Sequence, residues 1–315
     1  MNNQFAEDVR EGLSSKPKYL HSKYFYDEIG DKIFQRIMSL EEYYLTNCEY
    51  DIFLNQKTEL LKYFSPEGER FDLIEFGAGD GLKTKVLIEY FVDQKVDFKY
   101  IPIDISQNVL KNLTTNLKEI FPTLQIHAIC DDYFHALEDL NKVDFDKKII
   151  LFLGSNIGNF SGDNAIPFLR HIAADMSQND ILLIGFDLKK DPVIILEAYN
   201  DKQGVTRDFN LNLLKRINKE LDADFDIKKF KHYPTYNPQT GETKSYLICL
   251  EDMVVKINAL HQTFTFYQWE PIFTEVSQKY SMSDIKRLAD NSGFKIKKHF
   301  FDHRNYYTDS LWVLK

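Results

Sequence analysis

The feature that most limits what this chain can fold into is an apolar run, FDLIEF at 71–76, that ends directly in Gly77-Ala-Gly79-Asp-Gly81. It then passes into a segment with Leu82, Val86, Leu87, Tyr90 and Phe91 at helical spacing. A short apolar run closed by glycines reads as a buried strand, and the spacing after it reads as an amphipathic helix. The unit repeats: KYIPID (99–104) predicts a second strand, Ser106 a helix cap, and Val109, Leu110, Leu113, Leu117 and Ile120 one helical face. LQIHAI (124–129), KIILFL (148–153) and DILLIGF (180–186) predict further strands, with a helical stripe at Ile166, Leu169, Ile172, Ala173 and Met176 before the last. Such alternation predicts an α/β fold built on a parallel, doubly wound sheet.

After Phe186 the alternation stops. Residues 190–275 carry a helical face at Leu214, Ile217 and Leu221 and extended segments near 245–267, which reads as an insertion. Beyond it, Ser283 is expected to cap a helix through Ile285, Leu288 and Ala289 that stops at Gly293, and FKIKKHFF (294–301) and DSLWVLK (309–315) are expected to pair as an antiparallel hairpin. The first 65 residues hold helical stretches rich in aromatics, without a strand-turn-helix unit. The expected division is a sheet domain of 66–189 and 276–315 and a second domain of 1–65 and 190–275.

Composition narrows the partners. Forty-eight acids against 39 bases give a formal charge of −9, which repels a phosphate backbone, so nucleic acid is not an expected partner. The three cysteines, Cys48, Cys130 and Cys249, are odd in number and far apart, which indicates neither a disulfide framework nor a zinc site. The eight histidines show no metal-ligand spacing, and no metal is assigned. No run reaches the roughly 18 to 20 apolar residues of a membrane span, and the start MNNQFAEDVREGL is too polar for a signal peptide. A cytoplasmic monomer is expected, without membrane association.

Glu75-Phe-Gly77-Ala-Gly79-Asp-Gly81 sits where glycines let backbone approach a nucleotide-like ligand at the carboxyl edge of the sheet. A dinucleotide fingerprint places its third glycine one residue later, where this chain has Leu82, so the spacing favours S-adenosylmethionine over NAD. Asp104, ending the second strand, can accept both ribose hydroxyls, and Asp131 and Asp132 after the third strand can meet an adenine amine. Lys83 and Tyr133 flank these segments and complete the expected cofactor contacts. Gly154-Ser155-Asn156-Ile157-Gly158-Asn159 follows the fourth strand, at the edge where a bound donor presents its methyl group. Together the loop, the ribose acid, the sheet and the terminal hairpin point to a class I (Rossmann-like) methyltransferase.

Six segments carry a more specific likeness: KYFYDEIGDKIFQRI (23–37), EEYYLTNCEYDIF (41–53), EFGAGDGLKT (75–84), FLGSNIGNF (152–160), AYNDKQGVTRDFNLNLLKRINKELDADFD (198–226) and TEVSQKYS (274–281). The chain resembles, over nearly its whole length, the histidine Nα-methyltransferase family of ergothioneine biosynthesis. The resemblance implies a free amino acid as the small-molecule substrate, bound between the two domains. It implies that Tyr43, Asn159 and Tyr199 hold the substrate's α-carboxylate and amine, with Tyr43 and Asn159 counted as catalytic. Gly154 and Asn156 would line the amine, and Tyr26, Phe34, Glu275 and Ser277 would surround the imidazole. Neutral Asn and Tyr groups suit this task because they orient a carboxylate or amine without adding a charge that opposes the sulfonium donor.

Two positions that the resemblance places at the substrate depart from the family pattern: Ser245, counted among the substrate contacts, stands where the family typically has Met, and Asn156 where it has Thr. A related branch methylates tryptophan, so another amino acid remains an open reading, as does a non-catalytic cofactor-binding protein. The glycine spacing argues against a nicotinamide oxidoreductase. If Asp104 holds the ribose, Asp104→Ala is expected to weaken S-adenosylmethionine binding about 10- to 100-fold, since losing hydrogen bonds to a charged acceptor costs roughly 1.5 to 3 kcal/mol. Titration calorimetry checks this, and an unchanged affinity contradicts it.

Overall fold

The structure, a computed structural model, describes residues 3–131 and 147–315, so the expected cofactor contacts Asp132 and Tyr133 lie outside the described residues. The chain divides into two compact units, Leu45–Lys189 with Gln278–Lys315 and Met1–Tyr44 with Lys190–Ser277.

The first of these units is built on one sheet, with eight strands among the described residues, in the order Phe294–Phe301, Tyr307–Leu314, Ile181–Asp187, Lys147–Phe152, Phe71–Phe76, Phe98–Asp104 and Gln125–Ile126. Ile129–Cys130 also pairs with Phe98–Asp104. The four central strands are mutually parallel, whereas Tyr307–Leu314 runs antiparallel to both of its neighbours. From Phe71–Phe76 the chain first winds to one side and then returns to place Lys147–Phe152 on the other. The carboxyl ends of these two adjacent strands therefore form the switch point of the sheet, where open α/β sheets bind ligands.

Alternation along Phe71–Phe76 explains its burial on both faces. Phe71 turns to one side, where the rings of Phe64, Phe71, Phe91 and Phe98 meet at centroid distances of 5.5 to 6.2 Å. Ile74 and Phe76 turn to the other and pack with Ile150, Phe168, Leu169, Ile285 and Trp312. The helix Tyr44–Phe64 brings Phe64 to this core and lies almost wholly in the sheet unit, a difference from the boundary expected at residue 65.

Three local readings also differ. LQIHAI is two two-residue strands, Gln125–Ile126 and Ile129–Cys130, rather than one. Leu82 is exposed in the turn before the helix Thr84–Asp93 and takes no part in its buried face. The cap of the helix Met282–Asn291 is Ser281, not Ser283, because only Ser281 has an acid three residues on, Asp284, whose side chain returns a bond to the cap backbone.

The other unit packs the helices Asn3–Ser14, Glu28–Met38 and Val205–Leu221 with a four-stranded sheet ordered Lys18–Tyr19, Pro271–Gln278, Glu242–Cys249, Phe230–Tyr236. Lys18–Tyr19 is a short strand between the helical stretches of the first 65 residues, pairing in parallel with Ile272 and Phe273. Phe5, Val9, Phe25, Ile37, Phe209, Leu213, Leu214, Leu247 and Ile272 form its core. No helix among the described residues is long and apolar enough to cross a membrane.

Glu28–Met38 begins at Asp27, whose side chain accepts from Gly30 N–H at 2.6 Å. A Cβ on Gly30 would run into the Phe25 carbonyl oxygen, a backbone atom with little freedom to yield. Gly30→Ala should therefore destabilise the protein by about 1 to 3 kcal/mol, although helix propensity alone would make alanine the more stable residue. A thermal melt checks the sign, and a raised melting temperature contradicts the packing argument.

Candidate active site

The switch point is shaped by glycines with left-handed backbone, Gly77 at φ 70°, Gly79 at 55° and Gly81 at 68°. The last two serve different ends. A Cβ on Gly81 would strike Leu113, so this glycine lets the helix Gln107–Ile120 pack close, whereas a Cβ on Gly79 would meet nothing within 4 Å. Gly79 thus borders open space. Its N–H donates to Asp104 Oδ2 at 3.0 Å, and Ser106 N–H donates to Oδ1 at 2.9 Å, which fixes the carboxylate at the end of its strand. Burial pushes the Asp104 carboxyl upward from its ordinary pKa, and the backbone donors oppose that shift. Asp131 is half-buried beside it, its N–H donating to the Asp104 carbonyl at 3.2 Å. An open glycine, a fixed acid with lone pairs to spare and the partly exposed Lys83 side chain with its charge fit a ligand bearing ribose hydroxyls and a carboxylate.

Glu75, expected among the cofactor contacts, is turned into the core. It is 2% exposed and accepts from Thr84 Oγ1 at 2.6 Å and from the Tyr100 hydroxyl at 2.5 Å. These bonds tie the strand, the start of the next helix and the neighbouring strand together behind the glycine loop. Burial pushes its pKa up to about 7, against the lowering effect of the two hydroxyls.

The second loop of the switch point starts at Gly154, φ 69°, and Ser155, φ 57°. A side chain absent from the sequence reading holds it. Glu49, fully buried on the helix Tyr44–Phe64, takes the Gly154 N–H at 2.9 Å on both carboxylate oxygens, the Tyr307 hydroxyl at 2.8 Å, and the Lys83 ammonium in a short ion pair. Burial works against the Lys83 charge, but the Glu49 charge and hydrogen bond outweigh it, and the lysine pKa is raised. Nearby Asp309, also fully buried, is held strongly toward its neutral form by desolvation and then by the Glu49 charge. Asn156 is half-buried in this loop and Asn159 is exposed at its end. The signal for Glu49 was present in EEYYLTNCEYDIF, but an acid on a helix is usually solvated, and only the fold places this one under Gly154.

In the other unit the expected substrate residues are joined by ring contacts. Tyr26 meets Phe34 at 5.6 Å, Phe34 meets Tyr43 at 6.4 Å and Tyr43 meets Tyr199 at 6.4 Å, each edge-on. Phe209, which the sequence reading did not single out, touches both Tyr26 and Phe34 at 5.7 Å. The Tyr199 hydroxyl donates to Ser277 Oγ at 2.8 Å, and half-buried Glu275 lies two residues before that serine on the same strand. Ser245 lies on the strand face that turns to the core of this unit, against which Tyr26, Phe34 and Tyr43 also pack. It is 2% exposed, alternates in register with the core residue Leu247, and its carbonyl accepts from Thr274 Oγ1 at 3.0 Å. Thr274 precedes Glu275 in the strand, so their side chains leave opposite faces, and the Thr274 hydroxyl also reaches Asn210 of the helix Val205–Leu221 at 2.9 Å.

Comparison with known proteins adds to this geometry. A family model described as histidine-specific methyltransferase, SAM-dependent, matches residues 5–314. The chain is 33% identical over 288 residues to the histidine N-alpha-methyltransferase of Mycolicibacterium smegmatis, covering 91% of this chain and 88% of that protein. It is also 33% identical over 273 residues to the histidine N-alpha-methyltransferase of Mycobacterium tuberculosis, covering 87% and 83%. With ergothioneine biosynthesis protein 1 of Neurospora crassa it shares 30% identity over 289 residues, 89% of this chain and 31% of that protein. The chain belongs to the S-adenosylmethionine-dependent, histidine-specific methyltransferase family and is a methyltransferase that uses this cofactor.

The buried Glu75 gives a pH prediction. Its folded pKa of about 7 lies above the ordinary 4.5, so between these values the folded protein binds a proton that the unfolded chain releases, and stability falls as pH rises through that window. Glu75→Gln keeps an acceptor for one hydroxyl and offers a donor to the other. Its stability relative to wild type should improve from about pH 5 to pH 8, by up to roughly 3 kcal/mol. Chemical denaturation at both pH values checks this, and a pH-independent difference contradicts it.

Proposed function

We propose that this methyltransferase acts on the α-amine of free L-histidine, in up to three rounds that end in the trimethylated betaine hercynine. The observation that carries the reading is the aromatic run Tyr26, Phe34, Tyr43 and Tyr199 ending on Ser277, with Glu275 two residues away. Aromatic edges and faces suit an imidazole ring, and a carboxylate and a hydroxyl match its two nitrogens. The histidine named in the relatives and in the family description agrees with it.

When bound, S-adenosylmethionine supplies an electrophilic methyl group on a sulfonium. Asp104, Gly77, Gly79, Gly81, Lys83 and Asp131 are assigned to holding it, with Glu75 stabilising the loop from behind. Tyr43, Tyr199 and Asn159 are assigned to the substrate's carboxylate and amine, and Gly154 and Asn156 to the reacting edge. None of these substrate groups is a strong base, so the chemistry asked of them is positioning. They must select the unprotonated amine, whose lone pair is the nucleophile, and hold it in line. It follows that kcat rises with pH toward the amine's pKa in the complex, and that a kcat flat from about pH 6 to 10 with chemistry rate-limiting contradicts positioning of a neutral amine.

Side-chain choice is tested by incubating each of the twenty amino acids with S-adenosylmethionine and reading mass gains of one, two or three methyls. Histidine should react fastest. An indole has one N–H and no acceptor nitrogen, so it would leave part of the Glu275 and Ser277 pair unmatched. Glu275→Ala should therefore lower kcat/KM for histidine about 10- to 100-fold while harming tryptophan less. Faster methylation of tryptophan by wild type, with histidine turnover untouched by Glu275→Ala, would replace histidine by another amino acid.

A further inference from the structure

Glu49 gathers donors from three separate elements into one fully buried carboxylate: Gly154 N–H at the reacting edge, Lys83 after the glycine loop, and Tyr307 on the antiparallel strand. The surroundings are shaped for it. A Cβ on Gly185 would fall well inside contact distance of both Glu49 Oε1 and the Tyr307 hydroxyl, so this strand position has room for the carboxylate only as glycine. A Cβ on Gly154 would come within 3.3 Å of Lys83 Nζ, which places the ammonium directly beside the reacting loop. Asp309 is a second buried carboxyl nearby, pushed toward its neutral form by burial and then by the Glu49 charge. Glu49 is then the counter-ion that keeps the partly exposed Lys83 side chain in one place at the junction of the two loops.

Among the described residues assigned to the cofactor, Gly77, Gly79, Gly81, Asp104 and Asp131 carry no positive charge, so Lys83 is the cation available to the carboxylate of the cofactor's amino-acid end. We propose that Glu49 is a positioning residue for that end of the cofactor, acting through Lys83: it fixes the ammonium and the Gly154 loop in one arrangement before the cofactor arrives. Binding then does not have to order a flexible lysine, and the donor's amino-acid end is held relative to the reacting edge. This rests on the reading of Lys83 as a cofactor contact and not on which amino acid is methylated.

The test uses two ligands that differ only at that end, S-adenosylhomocysteine and 5′-methylthioadenosine, which lacks the amino acid. Calorimetry on wild type should show S-adenosylhomocysteine binding at least about tenfold tighter. In Glu49→Gln, S-adenosylhomocysteine should weaken about tenfold or more while 5′-methylthioadenosine stays within about twofold. A wild type without preference between the ligands refutes the role of Lys83 itself. A wild-type preference combined with a Glu49→Gln variant in which both ligands weaken alike, or neither does, leaves Lys83 in place and overturns the inference, because a general packing role would not discriminate the two ligands. Should Glu49→Gln not fold, Tyr307→Phe removes one donor to Glu49 at unchanged charge. It should weaken S-adenosylhomocysteine about threefold and spare 5′-methylthioadenosine, and equal effects on the two would overturn the inference in the same way.

Discussion

A buried carboxylate must be matched by donors or it neutralises, and Glu49 is matched by a backbone amide, a phenol and an ammonium drawn from three elements of the sheet unit. This requirement organises the switch point. It places the helix Tyr44–Phe64 against the sheet, requires glycine at 185, turns the Tyr307 hydroxyl inward and fixes Gly154 in the loop after Lys147–Phe152. Asp309 shows the limit of the arrangement: one lysine supports one carboxylate, and desolvation together with the Glu49 charge favours the neutral form of the second.

The glycine loop at 77–81 is supported from two sides in the same manner. Glu75 receives Thr84 and Tyr100 behind the glycines, and Asp104 receives Gly79 and Ser106 N–H in front. Left-handed glycines make the loop's path possible, but side-chain acceptors hold it. The two loops that flank the switch point are thus stiffened before any ligand is bound, which suits a reaction whose main demand is alignment of a neutral amine with an electrophilic methyl group.

Much of the architecture was legible because its signals are local. FDLIEF, KIILFL and DILLIGF are apolar on both faces, which fits central strands, and the terminal pairing of Phe294–Phe301 with Tyr307–Leu314 follows from two alternating runs around a turn. What escaped was decided at long range. Glu49 stands 105 residues from Gly154, and nothing in the sequence around it distinguishes a buried acceptor from a surface acid. Glu75 sits in the glycine motif and so read as a ligand contact, but strand alternation turns it toward Tyr100. The Ser281 cap required only that the acid three residues on be counted correctly, and that signal was local.

The loop at Gly154 is held by the Glu49 carboxylate, and native-state hydrogen exchange of the Gly154 amide measures this most directly. A loop amide open to water exchanges through small local fluctuations, whereas one bonded to a buried carboxylate exchanges only when the surrounding unit opens. The account predicts that Gly154 N–H is protected to nearly the level of the central strand amides of Phe71–Phe76. Exchange of Gly154 at the rate of exposed loop amides would contradict it.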